Sequence, residues 1–302
     1  MSDIVPIQSV GQIHEFFGYP APPNPLVSVL PITDAMTNFE YGDFTYLFDV
    51  YQISLKQGIR GSMIYGRNSY DFQEGTMVFT KPGQSLKIEN GDDYKGSSGW
   101  TLIFHPDLIR KSPLGQVINN YSFFSYAVSE ALHLSSQEQV ALTGLVRKIE
   151  HEYTEKTDRH SQELINSNIK LLLDYCVRYY DRQFATRTRF NKDFVTRFED
   201  LLIDYFESDK PLESGLPTVT YCGEALNLSP NYLSDLLRKE TGKSAQDHIY
   251  RALIERAKNR LLGSEESVSQ IAYSLGFKYP THFSKLFKSK TGLTPGAFRS
   301  AK

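Results

Sequence analysis

The side chains best placed to do chemistry lie in two short stretches near the end of the chain. Pro230-Asn231-Tyr232-Leu233-Ser234-Asp235-Leu236-Leu237-Arg238 aligns residue for residue with Pro280-Thr281-His282-Phe283-Ser284-Lys285-Leu286-Phe287-Lys288, and both stretches close on Thr-Gly, at Thr241-Gly242 and Thr291-Gly292. If each is a helix, Leu233, Leu236 and Leu237 share one face, as do Phe283, Leu286 and Phe287. Turned outward are then Asn231, Ser234, Asp235 and Arg238 in the first copy, and Thr281, His282 and Lys285 in the second. Amide, hydroxyl, carboxylate and cationic groups in such an array can exchange hydrogen bonds with the edges of nucleic-acid bases. Ser229, Lys239, Lys278, Tyr279, Ser284 and Lys288 flank them and suit phosphate oxygens, which fix register without reading sequence. For any one of these residues the competing reading is an ordinary solvated helix face.

Catalytic chemistry has no comparable footing. The two cysteines, Cys176 and Cys222, are far apart and match no Cys-x-x-Cys or Cys/His zinc spacing, so both are expected to be buried thiols. The segment Gly75-Thr76-Met77-Val78-Phe79-Thr80-Lys81-Pro82-Gly83 resembles the second motif of metal cupins, yet Gln84, Ser85 and Leu86 follow where a ligand histidine is expected. The only histidine near this region's end, His105, sits beside Pro106 and is read as structural. No nucleophile with a nearby base and no phosphate-binding loop stands out. A non-enzyme without metal or cofactor is expected; the enzymatic rival is a metal-free isomerase in the N-terminal part.

The elements that must position the outward side chains repeat as well. Val219, Cys222, Gly223, Leu226, Asn227 and Leu228 match Val268, Ile271, Ala272, Leu275, Gly276 and Phe277. The offset is 49 residues before the turn, Val219 to Val268, and 50 after it, Pro230 to Pro280, so the second turn is one residue longer. Small residues at Gly223 and Ala272 let two helices approach. Asn227 and Gly276 suit a left-handed helix exit. Pro230 and Pro280 suit a first helical position, Ser229 an N-cap, and Ser267 with Gln270 a capping box. Two helix-turn-helix units are expected, at about 219–242 and 268–292, joined by a long helix from about Ser244 to Leu262.

Residues of about 194–300 resemble the DNA-binding domain of the AraC/XylS family. The resemblance is carried by Val268-x-x-Ile271-Ala272-x-x-Leu275-Gly276-Phe277, then Phe283-Ser284-Lys285-Leu286-Phe287-Lys288, then Thr291-Gly292-Leu293-Thr294-Pro295. It implies double-stranded DNA as the partner, with the two second helices in successive major grooves about 34 Å apart. It also implies a cupin-like N-terminal sensor, a homodimer and contact with RNA polymerase. Two positions depart from the pattern. Asp235 stands where a basic or amide side chain is usual; it can accept from cytosine or pair with Arg238 instead. Tyr279 stands where a short polar cap is usual.

The formal net charge of −2 over 302 residues is an average over a negative N-terminal part and a positive C-terminal one. Lys278, Lys285, Lys288, Lys290, Arg299 and Lys302 follow one another with no acid between them, where phosphate contacts would use them. The first residues lack a basic stretch followed by an apolar one, and no membrane-length apolar run occurs, so a cytoplasmic, non-membrane protein is expected.

The remainder reads as an α+β chain of two domains, 1–185 and 186–302. Residues 1–40 are proline-rich and read as loop. From 40 to 105, short alternating runs separated by Gly, Asn and Asp clusters predict a β-barrel or sandwich. A helical hairpin over 135–182 follows, opened by a Ser135/Glu138 capping box, and 182–189 reads as a linker. The second helix of the hairpin carries Leu164, Ile165, Ile169, Leu172, Cys176 and Tyr179, either as packing against its own domain or as a subunit interface. Tyr46, Phe48, Met63, Tyr65, Phe72, Phe79 and Trp100 are candidates to line an effector pocket, against the plainer reading of core. Two roles for this domain stay open: binding a small-molecule effector, or serving only in oligomerisation and partner contact.

Overall fold

The computed structural model describes residues 4–32, 44–57, 63–65, 68–70, 75–87, 98–127, 130–155, 158–186 and 188–300. The chain divides into two compact units, Met1–Ala185 and Thr186–Lys302.

The first unit is built on two sheets. Five strands, β2 (Val27–Pro31), β4 (Tyr51–Gln57), β7 (Thr76–Thr80), β9 (Ser98–Phe104) and β10 (Leu132–His133), run in the order β10-β7-β4-β9-β2. Three more, β1 (Ile4–Ile7), β3 (Thr45–Phe48) and β8 (Gln84–Lys87), form a second sheet, while β5 (Met63–Tyr65) and β6 (Asn68–Tyr70) make a hairpin. The sheets stay separate, so the fold is sandwich-like, and among the described residues no closed barrel forms. Leu30 and Ile103 of the large sheet pack with Ile7, Tyr46 and Phe48 of the small one, which places these two sheet faces toward each other.

Of the stretch read as loop, residues 4–32 are described, and they are more regular than their prolines suggest. Ser9 accepts from the Gln12 backbone N–H and starts α1 (Val10–Phe16), whose Val10 and Ile13 are buried. Sequence alternation is too short there to announce β1 and β2.

Strand periodicity gives the large sheet two unlike faces. Tyr51, Ile53 and Leu55 of β4 share one face with their partners Phe104, Leu102 and Trp100 on β9, and with Phe79 and Met77 on β7. Phe79 packs 4.4 Å from Phe123 and 5.7 Å from Phe124. The short helices α2 (Pro106–Ile109) and α3 (Pro113–Val117) lead into that segment. Next come α4 (Ser136–Thr154), with its capping box intact, and α5 (Ser161–Thr186). The Tyr153 hydroxyl of α4 accepts from the Val29 N–H on the edge strand β2 at 2.9 Å, and the Trp100 indole donates to Thr143 of α4 at 3.1 Å.

The second unit is all helical: α6 (Thr188–Glu207), α7 (Lys210–Ser214), α8 (Val219–Leu226), α9 (Pro230–Thr241), α10 (Ala245–Gly263), α11 (Val268–Ser274), α12 (Pro280–Thr291) and α13 (Pro295–Ser300). The stretch read as a linker, 182–189, is helix except at residue 187, which is outside the described residues. Leu253, Ile254, Ala257 and Leu261 of α10 form one core with Ile271 and Ala272 of α11 and Phe283 and Phe287 of α12, closed by Tyr205 and Phe206 of α6. Burying each Phe contributes about 1.5–3 kcal/mol. No helix among the described residues is long and apolar enough to cross a membrane.

Candidate nucleic-acid interface

Two helix-turn-helix units stand at either end of α10. In the first, Thr218 caps α8 by accepting from the Tyr221 N–H at 3.0 Å. The helix ends on Asn227 at φ 57°, the left-handed conformation. Gly223 is required beneath the turn: a Cβ there would lie 2.6 Å from the Leu228 carbonyl oxygen. Ser229 then caps α9 by accepting from the Tyr232 N–H at 3.3 Å.

The second unit repeats this with one residue more. Ser267 and Gln270 make the reciprocal capping box of α11. The left-handed position falls on Gly276 at φ 92°. Helix α12 starts at Tyr279 with no side-chain cap bond. Proline at the first turn of α9 and of α12 offsets this, since its fixed φ suits a helix start.

The packing fixes which side chains face out. Leu233, Leu236 and Leu237 are fully buried in α9, and Phe283 and Phe287 in α12, whereas Leu286 is half-buried. Of the residues read as base contacts, Asn231, Arg238, Thr281, His282 and Lys285 are exposed, and Ser234 and Asp235 are half-buried. Of those read as phosphate contacts, Lys239, Lys278, Tyr279 and Lys288 are exposed, while Ser229 and Ser284 are half-buried. Asp235 accepts from Arg238 at 3.1 Å. Tyr279 and His282 stand edge to face, with centroids 5.4 Å apart, beside the start of α12. The repeat is not perfect in three dimensions: His282 is exposed, whereas its counterpart Tyr232 is 2% exposed. Tyr273, 52% exposed on α11, adds a hydroxyl to this surface that sequence reasoning passed over. Its signal was an aromatic on the outer face of a first helix.

The N-terminal candidates fare differently. Tyr46 and Phe48 are buried with α1 in the inter-sheet core, whereas Phe79 and Trp100 turn to the helical side of the large sheet. These aromatics therefore line no common cavity; strand alternation sends them to opposite faces. Met63 and Tyr65 lie on β5, and Phe72 falls outside the described residues. On α5, Ile165, Ile169, Leu172, Cys176 and Tyr179 are buried within their own unit, and of the six interface candidates only Leu164 is exposed. The helix has two apolar faces, and the sequence stripe picked out the inward one. Both thiols are buried, and burial pushes Cys222 up to about 11. His105 caps α2 by accepting from the Asp107 N–H. Among the described residues no group of three or more His, Cys, Asp or Glu could hold a metal ion.

Two paired helices with polar, outward second helices, joined by a third, form a double helix-turn-helix frame. The family model described as a helix-turn-helix domain matches residues 222–301. The regulatory protein YesN of Bacillus subtilis is 38% identical over 78 residues, which is 25% of this chain and 21% of that protein. The regulator YijO of Escherichia coli is 24% identical over 233 residues, covering 75% of this chain and 78% of the relative. A solved C-terminal domain of AraT, a response regulator from Geobacillus stearothermophilus, aligns at 28% identity over 36% of this chain and 85% of its own, with a TM-score of 0.32. The chain thus spans about a fifth of the length of YesN.

Proposed function

We propose that the chain is a sequence-specific, double-stranded-DNA-binding transcription regulator that reads two successive major grooves with α9 and α12. The observation that supports this best is the exposure of Asn231, Arg238, Thr281, His282 and Lys285 on two second helices whose opposite faces are fully buried. A helix-turn-helix places the outward N-terminal residues of such a helix against base edges. Asn231 would serve adenine, Lys285 guanine, and Thr281 a thymine methyl; Lys278, Lys288, Lys239 and Tyr279 would hold phosphates.

In this reading the N-terminal unit, about residues 1–185, is regulatory, and a small-molecule effector shifts how the DNA-binding units are presented. The working form is a homodimer that acts in the cytoplasm and meets RNA polymerase at its promoters. Leu164 and Leu171, each 45% exposed on α5, leave that helix with an outward apolar stripe.

Selection of the full chain against a random pool of duplex DNA tests the reading. The expected result is an enriched sequence with two short conserved elements about 10 base pairs apart, lost on combined Asn231→Ala and Lys285→Ala substitution. A pool that stays random after repeated rounds at moderate salt overturns it.

A further inference from the structure

The two helix-turn-helix units share a frame but not a charge. Residues 219–242 set Arg238 and Lys239 against Glu224, Asp235 and Glu240, a formal charge of −1. Residues 268–292 hold Lys278, Lys285, Lys288 and Lys290 with no acid, a formal charge of +4. Each DNA phosphate neutralised by a side-chain cation releases counterions, and this sets most of the affinity that does not depend on sequence. Two copies of one motif with such unlike charges take unequal shares of it.

The differences fall where phosphates would lie. In a helix-turn-helix the first helix crosses the nucleic-acid backbone. Near the end of α8 the exposed side chain is Glu224, and the aligned residue on α11 is the exposed Tyr273. A carboxylate there repels a phosphate, whereas a phenol donates to one. The longer second turn also brings in Lys278, exposed directly before Tyr279. Lys290 is held by Asp247 at 3.6 Å and lies over the Tyr250 ring, which leaves Lys278, Lys285 and Lys288, all exposed, for DNA.

The reading faces differ in the same sense. Helix α6 packs against both helices of the first unit. On α9 Tyr232 is buried, and the half-buried Asp235 holds Arg238. From Pro230 to Asp235 only Asn231 is exposed, whereas from Pro280 to Lys285 Thr281, His282 and Lys285 all are. Base edges are read by outward donors and acceptors near the start of the second helix, and α12 offers three where α9 offers one.

We propose that the second unit anchors the chain on duplex DNA and reads most of its sequence, while the first unit seats beside it with few phosphate contacts and a looser base preference. The inference rests on the reading of the chain as a DNA binder that uses two grooves, and it sets how that surface divides its work.

Two measurements on the full chain test it. In the duplex selection, the two enriched elements are expected to differ in stringency. The stronger element is relaxed by Thr281→Ala with Lys285→Ala, and the weaker by Asn231→Ala. In anisotropy titrations across a salt series on the selected duplex, Lys278→Gln with Lys288→Gln is expected to lower the salt slope by about two and to weaken binding roughly tenfold at moderate salt. Arg238→Gln with Lys239→Gln is expected to lower the slope by less than about one. All four side chains are exposed, so the Tm of each double variant should stay near that of the parent. Elements of equal stringency, a stronger element that answers to Asn231, a slope unmoved by the Lys278 and Lys288 substitutions, or slopes lowered alike by both pairs overturns the inference and leaves the regulator in place. A pool that stays random overturns both.

Discussion

Arg238 donates to Asp235 across 3.1 Å on the outward side of α9, while the residues that align with this pair in α12, Lys288 and Lys285, are both cationic. The two second helices therefore present different fields to DNA although their frames are copies. The Arg238 side chain is 61% exposed and that of Asp235 22%, so the pair itself contributes less than about 1 kcal/mol to stability. Its larger effect is to mask a cation that phosphate would otherwise attract.

Asp235→Asn is accordingly expected to strengthen binding to non-specific duplex DNA by severalfold and to steepen the salt dependence, since about one more counterion is released. Fold stability should change little. Anisotropy titrations across a salt series, on one selected and one scrambled duplex, measure both quantities. An unchanged salt slope would mean that Arg238 stays away from the phosphates.

In α12, Lys285 and Lys288 should separate cleanly. Lys285→Ala is expected to cost about 1–3 kcal/mol against the selected sequence and to relax one base preference. Lys288→Ala should weaken all sequences alike and lower the salt slope by about one. A Lys285→Ala protein whose base preferences match the parent at every position would assign Lys285 to the backbone instead.

The turn of the first unit gives a stability prediction. Gly223→Ala puts a methyl 2.6 Å from the Leu228 carbonyl oxygen, a backbone atom that cannot swing away, so α8 and α9 must separate. Steric overpacking of this kind costs about 1–3 kcal/mol, visible as a lower urea midpoint. Ala272, the aligned residue, already carries that methyl in the second unit, so Ala272→Gly should lose only packing and helix propensity. Equal midpoints for Gly223→Ala and the parent would show that the turn is looser than drawn.

How much of this was legible in the sequence depends on where the periodicity is strong. The repeat exposed α8 to α12 because each copy must bury Leu or Phe at fixed positions and must turn at Asn227 or Gly276. The extra residue in the second turn was legible for the same reason. Residues 1–40 were not legible: Ser9, Val10 and Ile13 start a helix only two turns long, and prolines around it outweigh that signal. That Gln52, Ser54 and Lys56 of β4 turn toward the small sheet was not legible, because they alternate with Tyr51, Ile53 and Leu55 as a solvent-facing strand would. Only a second sheet lying over that face turns it inward, and sheet stacking leaves no local mark in sequence. Aromatics on neighbouring strands likewise look like one cavity until the register shows them on opposite faces.

A last prediction concerns pH and the first helix-turn-helix. His248 is 5% exposed on α10; its Nε2 lies 2.8 Å from the Thr241 hydroxyl at the end of α9, and its ring stands edge to face with Phe198 at 5.9 Å. Desolvation is the main cause that holds its pKa below the ordinary value, with Glu199 opposing. The unfolded imidazole takes a proton near pH 6.5, and the folded one only at lower pH. The unfolded state therefore binds more protons in that interval, and the stability from neutral His248 is whole above about pH 6.5 and is lost as pH falls through the folded pKa. Thermal unfolding of the full chain should show the DNA-binding unit's transition drop between pH 7.5 and 5. His248→Asn should lower the transition at pH 7.5 by removing the buried ring, and should flatten its descent toward pH 5. A descent of equal slope in parent and variant would place the acid sensitivity in other groups.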